Sequence, residues 1–127
     1  RPRLATASHD GTVRIYDAAV GVCMQKCVGH NGAVYCVAWS NGGARCWLAS
    51  GGQDATVRIW DATSGRCVAV HGGHTGSVLT VEFSAGAKQL LSGSDDNTVK
   101  LWPVEEPSRK PTKPKKKRRK VAAGEGA

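Results

Sequence analysis

His30, Ser50 and Asp54 are residue types that can do chemistry together. A serine hydroxyl, an imidazole and a carboxylate make a nucleophilic hydrolase site, in which His takes the Ser proton and Asp orients the ring. The same types return as His74, Ser92 and Asp96, and a partial opening unit keeps Thr6 and Asp10. Each set is accompanied by an aromatic residue: Trp60, Trp102 or Tyr16. A catalytic site needs an open nucleophile and an oxyanion site, and it has no reason to recur along one chain. A structural role explains the recurrence. A buried indole N–H needs an acceptor, and a Ser hydroxyl can accept from it and donate to His. The other ring nitrogen can donate to Asp. The expectation is therefore two structural tetrads, His30/Ser50/Asp54/Trp60 and His74/Ser92/Asp96/Trp102, with no catalytic residue and no enzyme.

The elements that position these residues repeat. Gly29 to Trp60 reads G-H-N-G-A-V-Y-C-V-A-W-S, a turn, then L-A-S-G-G-Q-D-A-T-V-R-I-W, and Asp61 follows. Gly73 to Trp102 repeats it as G-H-T-G-S-V-L-T-V-E-F-S and L-L-S-G-S-D-D-N-T-V-K-L-W, and Leu4 to Asp17 carries the second half alone. The two Gly-His pairs lie 44 positions apart. A period of roughly 40–45 residues with Gly-His and Trp-Asp signatures is that of a four-stranded propeller blade. Over about residues 4–104 the chain resembles the WD-repeat family. Gly29-His30, Gly73-His74 and Trp60-Asp61 fit its pattern directly; Tyr16-Asp17 replaces the Trp, and Trp102-Pro103 loses the Asp. The resemblance implies the tetrad role for the Ser, His, Asp and Trp positions.

Alternation places strands at Leu4 to Ser8, Thr12 to Asp17, Val22 to Val28, Val34 to Trp39, Trp47 to Gly51, Thr56 to Trp60, Arg66 to Val70, Ser77 to Phe83, Gln89 to Gly93 and Thr98 to Trp102. Asp10-Gly11 is a hairpin signal. Ala55 stands where Gly11 stands, and a left-handed Ala there costs about 1–2 kcal/mol. No stretch reads as a helix. The predicted fold is all-β: a partial β-propeller of about two and a half four-stranded antiparallel blades, with a disordered basic C-terminal tail. Residues 1–104 form the propeller portion, in units of about 1–28, 29–72 and 73–104, and 105–127 form the tail. The first unit lacks its inner strand and the last its outer one. The chain begins with Arg1, so it reads as the C-terminal part of a longer propeller protein with further blades upstream. The isolated piece is expected to be marginal, or to self-associate through open blade edges.

No apolar run approaches the 18 residues of a membrane span, and no signal-peptide pattern opens the chain. Five Cys, an odd number, suggest no disulfide framework. Cys23 and Cys67 hold equivalent positions and read as buried packing thiols. Cys23-x3-Cys27 lacks a second pair at ligand spacing, and His71-x-x-His74 reads as a strand-end His beside a loop His, so no metal is expected. Gly51-Gly52 and Gly72-Gly73 lack the following Lys-Ser/Thr and helix of a phosphate loop, so no cofactor is expected.

The resemblance implies that residues just after Gly-His face the mouth of the propeller channel. These are Ala33, Tyr35, Ser77 and Leu79, the candidate partner contacts. Tyr35 suits an interface hot spot, though packing on a neighbouring blade explains it equally. Arg14, Arg58 and Lys100 share one strand position and read as a solvated outer edge. Residues 1–104 carry nine Lys/Arg and seven Asp/Glu, against nine and three in 105–127, so the net charge of +8 belongs mostly to the tail. There Lys115, Lys116, Lys117, Arg118, Arg119 and Lys120 run together, flanked by Pro114 and Val121. The string resembles a single-cluster nuclear import signal. It also suits RNA or DNA phosphate contact, or a solubilising tail. The reading is a non-enzymatic protein–protein interaction scaffold, made in the cytoplasm and working in a nuclear multiprotein complex, neither secreted nor membrane-bound. The alternative is a nucleic-acid-associated factor of RNA processing or ribosome assembly. Its partners are other proteins on the propeller top face and an import carrier on the tail.

Overall fold

The computed structural model describes residues 2–40 and 46–104; the basic run and the rest of 105–127 lie outside them. The described chain forms three antiparallel sheets. β1 (Arg3–Ala7), β2 (Thr12–Asp17) and β3 (Cys23–Val28) make the first, in that order. β4 (Val34–Trp39), β5 (Trp47–Gly52), β6 (Thr56–Asp61) and β7 (Cys67–Gly72) make the four-stranded middle sheet. β8 (Val78–Phe83), β9 (Gln89–Ser94) and β10 (Val99–Pro103) make the third. Strand order follows chain order throughout, as short hairpin connections dictate. The one helical element described is a 3-10 turn at Ala85–Ala87, too short to alter the all-β class. Pro103 closes β10 opposite Gln89, on an edge strand whose outer side needs no N–H.

The three sheets stack through alternating faces. Val13, Ile15 and Cys27 of the first sheet meet Val34, Leu48 and Trp60 of the middle one. On the other side Trp47, Ala49, Val57 and Ile59 meet Val78, Val81, Phe83 and Leu90 of the third. Within β6, Val57 and Ile59 therefore face one neighbour while Trp60 faces the other, the period-2 consequence of strand geometry. The inner strand β4 packs on both β1 and β8. A Cβ at Gly51 would collide with Val78, so the second junction closes only over glycine. Arg3 ties the first junction from its side. Its guanidinium donates to the Ala62 carbonyl at 3.4 Å and lies 5.6 Å from the centre of the Trp39 ring.

The β1–β2, β5–β6 and β9–β10 hairpins share one turn chemistry. Gly11, Ala55 and Asn97 hold the same place, with φ of 91°, 68° and 72°. Gly takes that conformation freely, Asn with little penalty, and Ala at about 1 kcal/mol. In each turn the preceding Asp accepts from the N–H and the hydroxyl of a Thr two residues on: Asp10 from Thr12, Asp54 from Thr56, Asp96 from Thr98. This side-chain turn fixes the carboxylate before any histidine reaches it.

Two expectations about outer positions fail. Cys23 and Cys67 are exposed, and Cys27 is the buried thiol. β3 and β7 are the outermost strands of their sheets, so only residues turned toward a neighbouring sheet are covered. Arg14, Arg58 and Lys100 do not share a solvated outer edge. All three are half-buried; Arg14 and Arg58 lie on the interior strands β2 and β6, Lys100 on the edge strand β10, and the Arg58 guanidinium lies so close over Gly29 that a Cβ there would crowd it.

Candidate functional site

The middle sheet assembles its four residues from four separate elements. Ser50 lies on β5, Trp60 on β6, Asp54 in the hairpin between them, and His30 in the loop that enters the sheet. Trp60 Nε1–H donates to Ser50 Oγ at 2.8 Å. Ser50 Oγ is 2.7 Å from His30 Nε2, and His30 Nδ1 is 3.1 Å from Asp54 Oδ2. Trp60 and Asp54 fix the proton order. The indole can only donate, so the Ser hydroxyl spends its own proton on Nε2, and Nδ1–H points to the carboxylate. The third sheet repeats the chain: Trp102 Nε1 to Ser92 Oγ at 2.8 Å, Ser92 Oγ to His74 Nε2 at 2.8 Å, and His74 Nδ1 to Asp96 Oδ2 at 3.0 Å.

Each Asp also holds the loop that carries its histidine. Asp54 Oδ2 accepts from Asn31 N–H at 2.9 Å, and Asp96 Oδ2 from Thr75 N–H at 2.9 Å. Sequence reading passed over Thr56 and Thr98, although a Thr two residues after each turn Asp was the signal. Thr98 Oγ1 also lies 3.1 Å from His74 Nδ1. The first sheet has Tyr16 and Asp10 but no His to join them.

The electrostatics follow burial and bonding. Burial holds His30 below its ordinary value of 6.5, and the Asp54 carboxylate only partly offsets this. Burial pushes Asp54 up, but the bonds from Asn31 and Thr56, with His30 nearby, outweigh it and leave its carboxyl below 3.8. Asp96 is likewise held well below the usual carboxylate range, chiefly by the Thr98 hydroxyl. Both tetrads thus hold an ionised carboxylate, and in the middle sheet burial favours the neutral His30 imidazole beside it. Ser50 and Ser92 are both fully buried, each already bonded on two sides. A hydroxyl so placed cannot reach a substrate without opening the sheet junction.

The candidate contact residues divide by backbone geometry. Tyr35 is skipped in the β4–β5 register between Val34↔Gly52 and Cys36↔Gly51, and Leu79 is skipped in the same way between Val78↔Ser94 and Thr80↔Gly93. Both are the extra residue of a β-bulge, which re-aims a side chain. Tyr35 is 46% exposed and Leu79 51%. Ala33 is buried, with its carbonyl accepting from Gln53 N–H at 2.8 Å, so its side chain offers a partner no surface. Ser77 is half-buried, and its carbonyl accepts from Asp95 N–H. Sequence pattern cannot show a bulge, because the inserted residue has the same type preferences as its neighbours.

His71 and His74 do not converge. His74 belongs to the tetrad, while the His71 ring stacks on Trp102 at 4.7 Å and 16°. Its Nε2 is buried with no hydrogen-bond partner, and burial lowers its pKa from 6.5. Among the described residues no three His, Cys, Asp or Glu are grouped to hold a metal ion. Among them, too, no helix is long and apolar enough to cross a membrane.

Repeated sheets, two of them with a Gly-His loop locked to the hairpin that follows, define a class of repeat protein, and comparison with known proteins places the chain in it. The family described as "WD domain, G-beta repeat" matches residues 1–17, 21–61 and 65–103. The chain belongs to this WD40 family. The matched segments are staggered against the sheets: 21–61 begins before β3 of one sheet and ends with β6 of the next. The repeats at 21–61 and 65–103 therefore each stitch two sheets covalently. Protein Notchless of Drosophila melanogaster is 44% identical over 41 residues, 32% of this chain and 8% of that protein's length. The crystal structure of the computationally designed Ika4 protein superposes with a TM-score of 0.72 at 28% identity, covering 83% of this chain and 62% of that one. The chain thus spans a small part of its natural relative. WD40 domains generally bind other proteins, and the family is generally a non-enzymatic scaffold.

Proposed function

We propose that this chain is a non-enzymatic protein-interaction scaffold working in a nuclear multiprotein complex. One observation carries the reading: both Ser hydroxyls are buried and held between an imidazole and an indole. The chemistry of the repeated residues is spent on holding loops. Those loops in turn hold the bulges that expose Tyr35 and Leu79. A Tyr with an apolar ring and a polar tip is a favoured hot-spot residue on such a platform. The run from Lys115 to Lys120 offers a carrier an extended cationic peptide, the basis for assigning nuclear import.

The test has two arms. Tyr35→Ala with Leu79→Ala should remove partners retained from nuclear extract without moving the urea midpoint; an unchanged partner set places the contact elsewhere. Changing Lys115, Lys116, Lys117, Arg118, Arg119 and Lys120 to Ala should spread a fluorescent fusion evenly through the cell; undiminished nuclear accumulation contradicts the import role.

A second reading, a nucleic-acid-associated factor, draws on the nine cations of residues 105–127. It predicts RNA binding that weakens steeply with salt, with a log–log slope of about −0.7 per phosphate contact, and that is lost when 109–120 are deleted. Salt-insensitive or absent binding rejects it.

A further inference from the structure

A bulge aims its extra side chain in one direction only if the chain entering it is held. For Tyr35 that chain is Asn31 to Val34, and three of its four residues are tied by backbone groups. Asn31 N–H donates to Asp54 Oδ2 at 2.9 Å, and Val34 N–H donates to the Ser8 carbonyl at 2.9 Å. Between them Gln53 grips Ala33 twice. The Gln53 N–H donates to the Ala33 carbonyl at 2.8 Å, and the Gln53 side-chain oxygen accepts from Ala33 N–H at 3.2 Å. Asp54 belongs to the tetrad and Ser8 acts through its backbone. Among these ties Gln53 is the side chain outside the tetrad.

The grip is shaped on both sides. Ala33 N–H is a donor, so the amide oxygen of Gln53 rather than its nitrogen faces it. The amide lies over Gly32, where a Cβ would stand 3.0 Å from Oε1, and Gly32 has a φ of 124° that suits glycine. A Cβ at Gly52 would run into the Ala33 carbonyl. The Leu79 bulge is entered differently. Asp95, the counterpart of Gln53, ties the Ser77 carbonyl through its N–H at 3.0 Å, and its shorter carboxylate lies over Gly76.

We propose that Gln53 is a positioning residue for Tyr35: its side-chain amide fixes the chain entering the bulge, and so fixes the direction of the ring. Gln53 is itself exposed, whereas Ala33 is 2% exposed, so the amide works on backbone that is otherwise covered. Its role in recognition rests on the reading of Tyr35 as a partner contact.

The test is NMR of the 127-residue chain with Gln53→Ala and Gln53→Glu. Ala removes the acceptor; Glu keeps an acceptor oxygen at the same reach. In Gln53→Ala the Ala33 N–H should exchange about tenfold faster, the loss of about one hydrogen bond. Tyr35 should then average over χ1 rotamers, while Leu79 stays as in the wild type. Gln53→Glu should restore both signals. The urea midpoint should move far less than in Ser50→Ala, so a general loss of stability cannot imitate the result. Unchanged Ala33 exchange and Tyr35 rotamers in Gln53→Ala overturn the proposal. So does equal loosening at Leu79, or a Glu variant that behaves like Ala. Retention from nuclear extract then separates the two readings. Partners lost in Tyr35→Ala should also weaken in Gln53→Ala and return in Gln53→Glu. If Tyr35→Ala loses partners and Gln53→Ala keeps them, the role of Gln53 in recognition fails. If Tyr35→Ala loses none, the partner contact at Tyr35 fails, and Ala33 exchange still decides the positioning.

Discussion

The two junctions between sheets use one hydrogen-bond chain and close it differently. In the first, Trp60 is 1% exposed, and Cys27 is buried in the same core. Burial raises the Cys27 thiol to about 11, which keeps it an inert apolar group. In the second, Trp102 is only half-buried, and the position equivalent to Cys27 is His71. A cavity of about 280 Å³ opens beside it, lined by Trp47, Ile59, Val68 and Ala69 with Pro103 and Val104. The difference has a topological origin. Trp60 sits on β6, flanked by β7, whereas Trp102 sits on the edge strand β10. Identical tetrad geometry therefore stabilises by different amounts, depending on whether a fourth strand keeps water from the indole.

The comparison can be broken by truncation. Trp60→Ala should cost about 3–5 kcal/mol, and Trp102→Ala about half that, because Trp102 loses less burial. Urea denaturation of the two variants checks the order, and equal costs would mean that flanking by β7 is irrelevant. Exchanging the distinguishing residue comes next. Cys27→His should cost about 2–4 kcal/mol by placing an unpaired ring nitrogen in a closed core. His71→Cys should be neutral or slightly stabilising, because it removes a nitrogen that already lacks a partner.

Deleting the shared acceptor sharpens the comparison further. Ser50→Ala leaves both an indole N–H and an imidazole nitrogen unpaired in a dry site, at about 2–3 kcal/mol, while Ser92→Ala should cost about 1 kcal/mol less, since water can reach Trp102. Smaller than either serine deletion is Ala55→Gly, a gain of about 0.5–1 kcal/mol at φ 68°, read as a small rise in urea midpoint.

Acid should act on both junctions in one direction. His30 and His71 bind a proton less readily folded than unfolded. Their contribution is complete above 6.5 and is lost as pH falls through the depressed folded values. Urea midpoints should fall from neutral pH to about pH 5, and His71→Cys should flatten part of that slope. The lowered Asp54 and Asp10, the latter at about 2, add a further loss only below 3.8.

Much of this was legible in sequence, for definable reasons. Alternation marks β6 because both its faces are covered, by different neighbours. The Ser, His, Asp and Trp positions stand out because the same four types recur at fixed spacing. What stayed hidden depends on where neighbouring sheets end. Cys23 and Cys67 look like core residues in composition, yet lie exposed on the outermost strands of the described sheets. The exposure of Tyr35 and Leu79 comes from bulges, a matter of register rather than residue type. Arg58 reads as a surface cation, but it is half-buried and its guanidinium lies over Gly29.

The central claim is that the recurring Ser-His-Asp set is a structural tie to a buried indole. Hydrogen exchange of the Trp60 indole N–H, followed by NMR, tests it most directly. The account predicts slow exchange in the wild type, at the rate of global opening, and exchange accelerated by orders of magnitude in Ser50→Ala. Fast exchange in the wild-type chain would contradict it, because Ser50 would then be free of the indole and available for other chemistry.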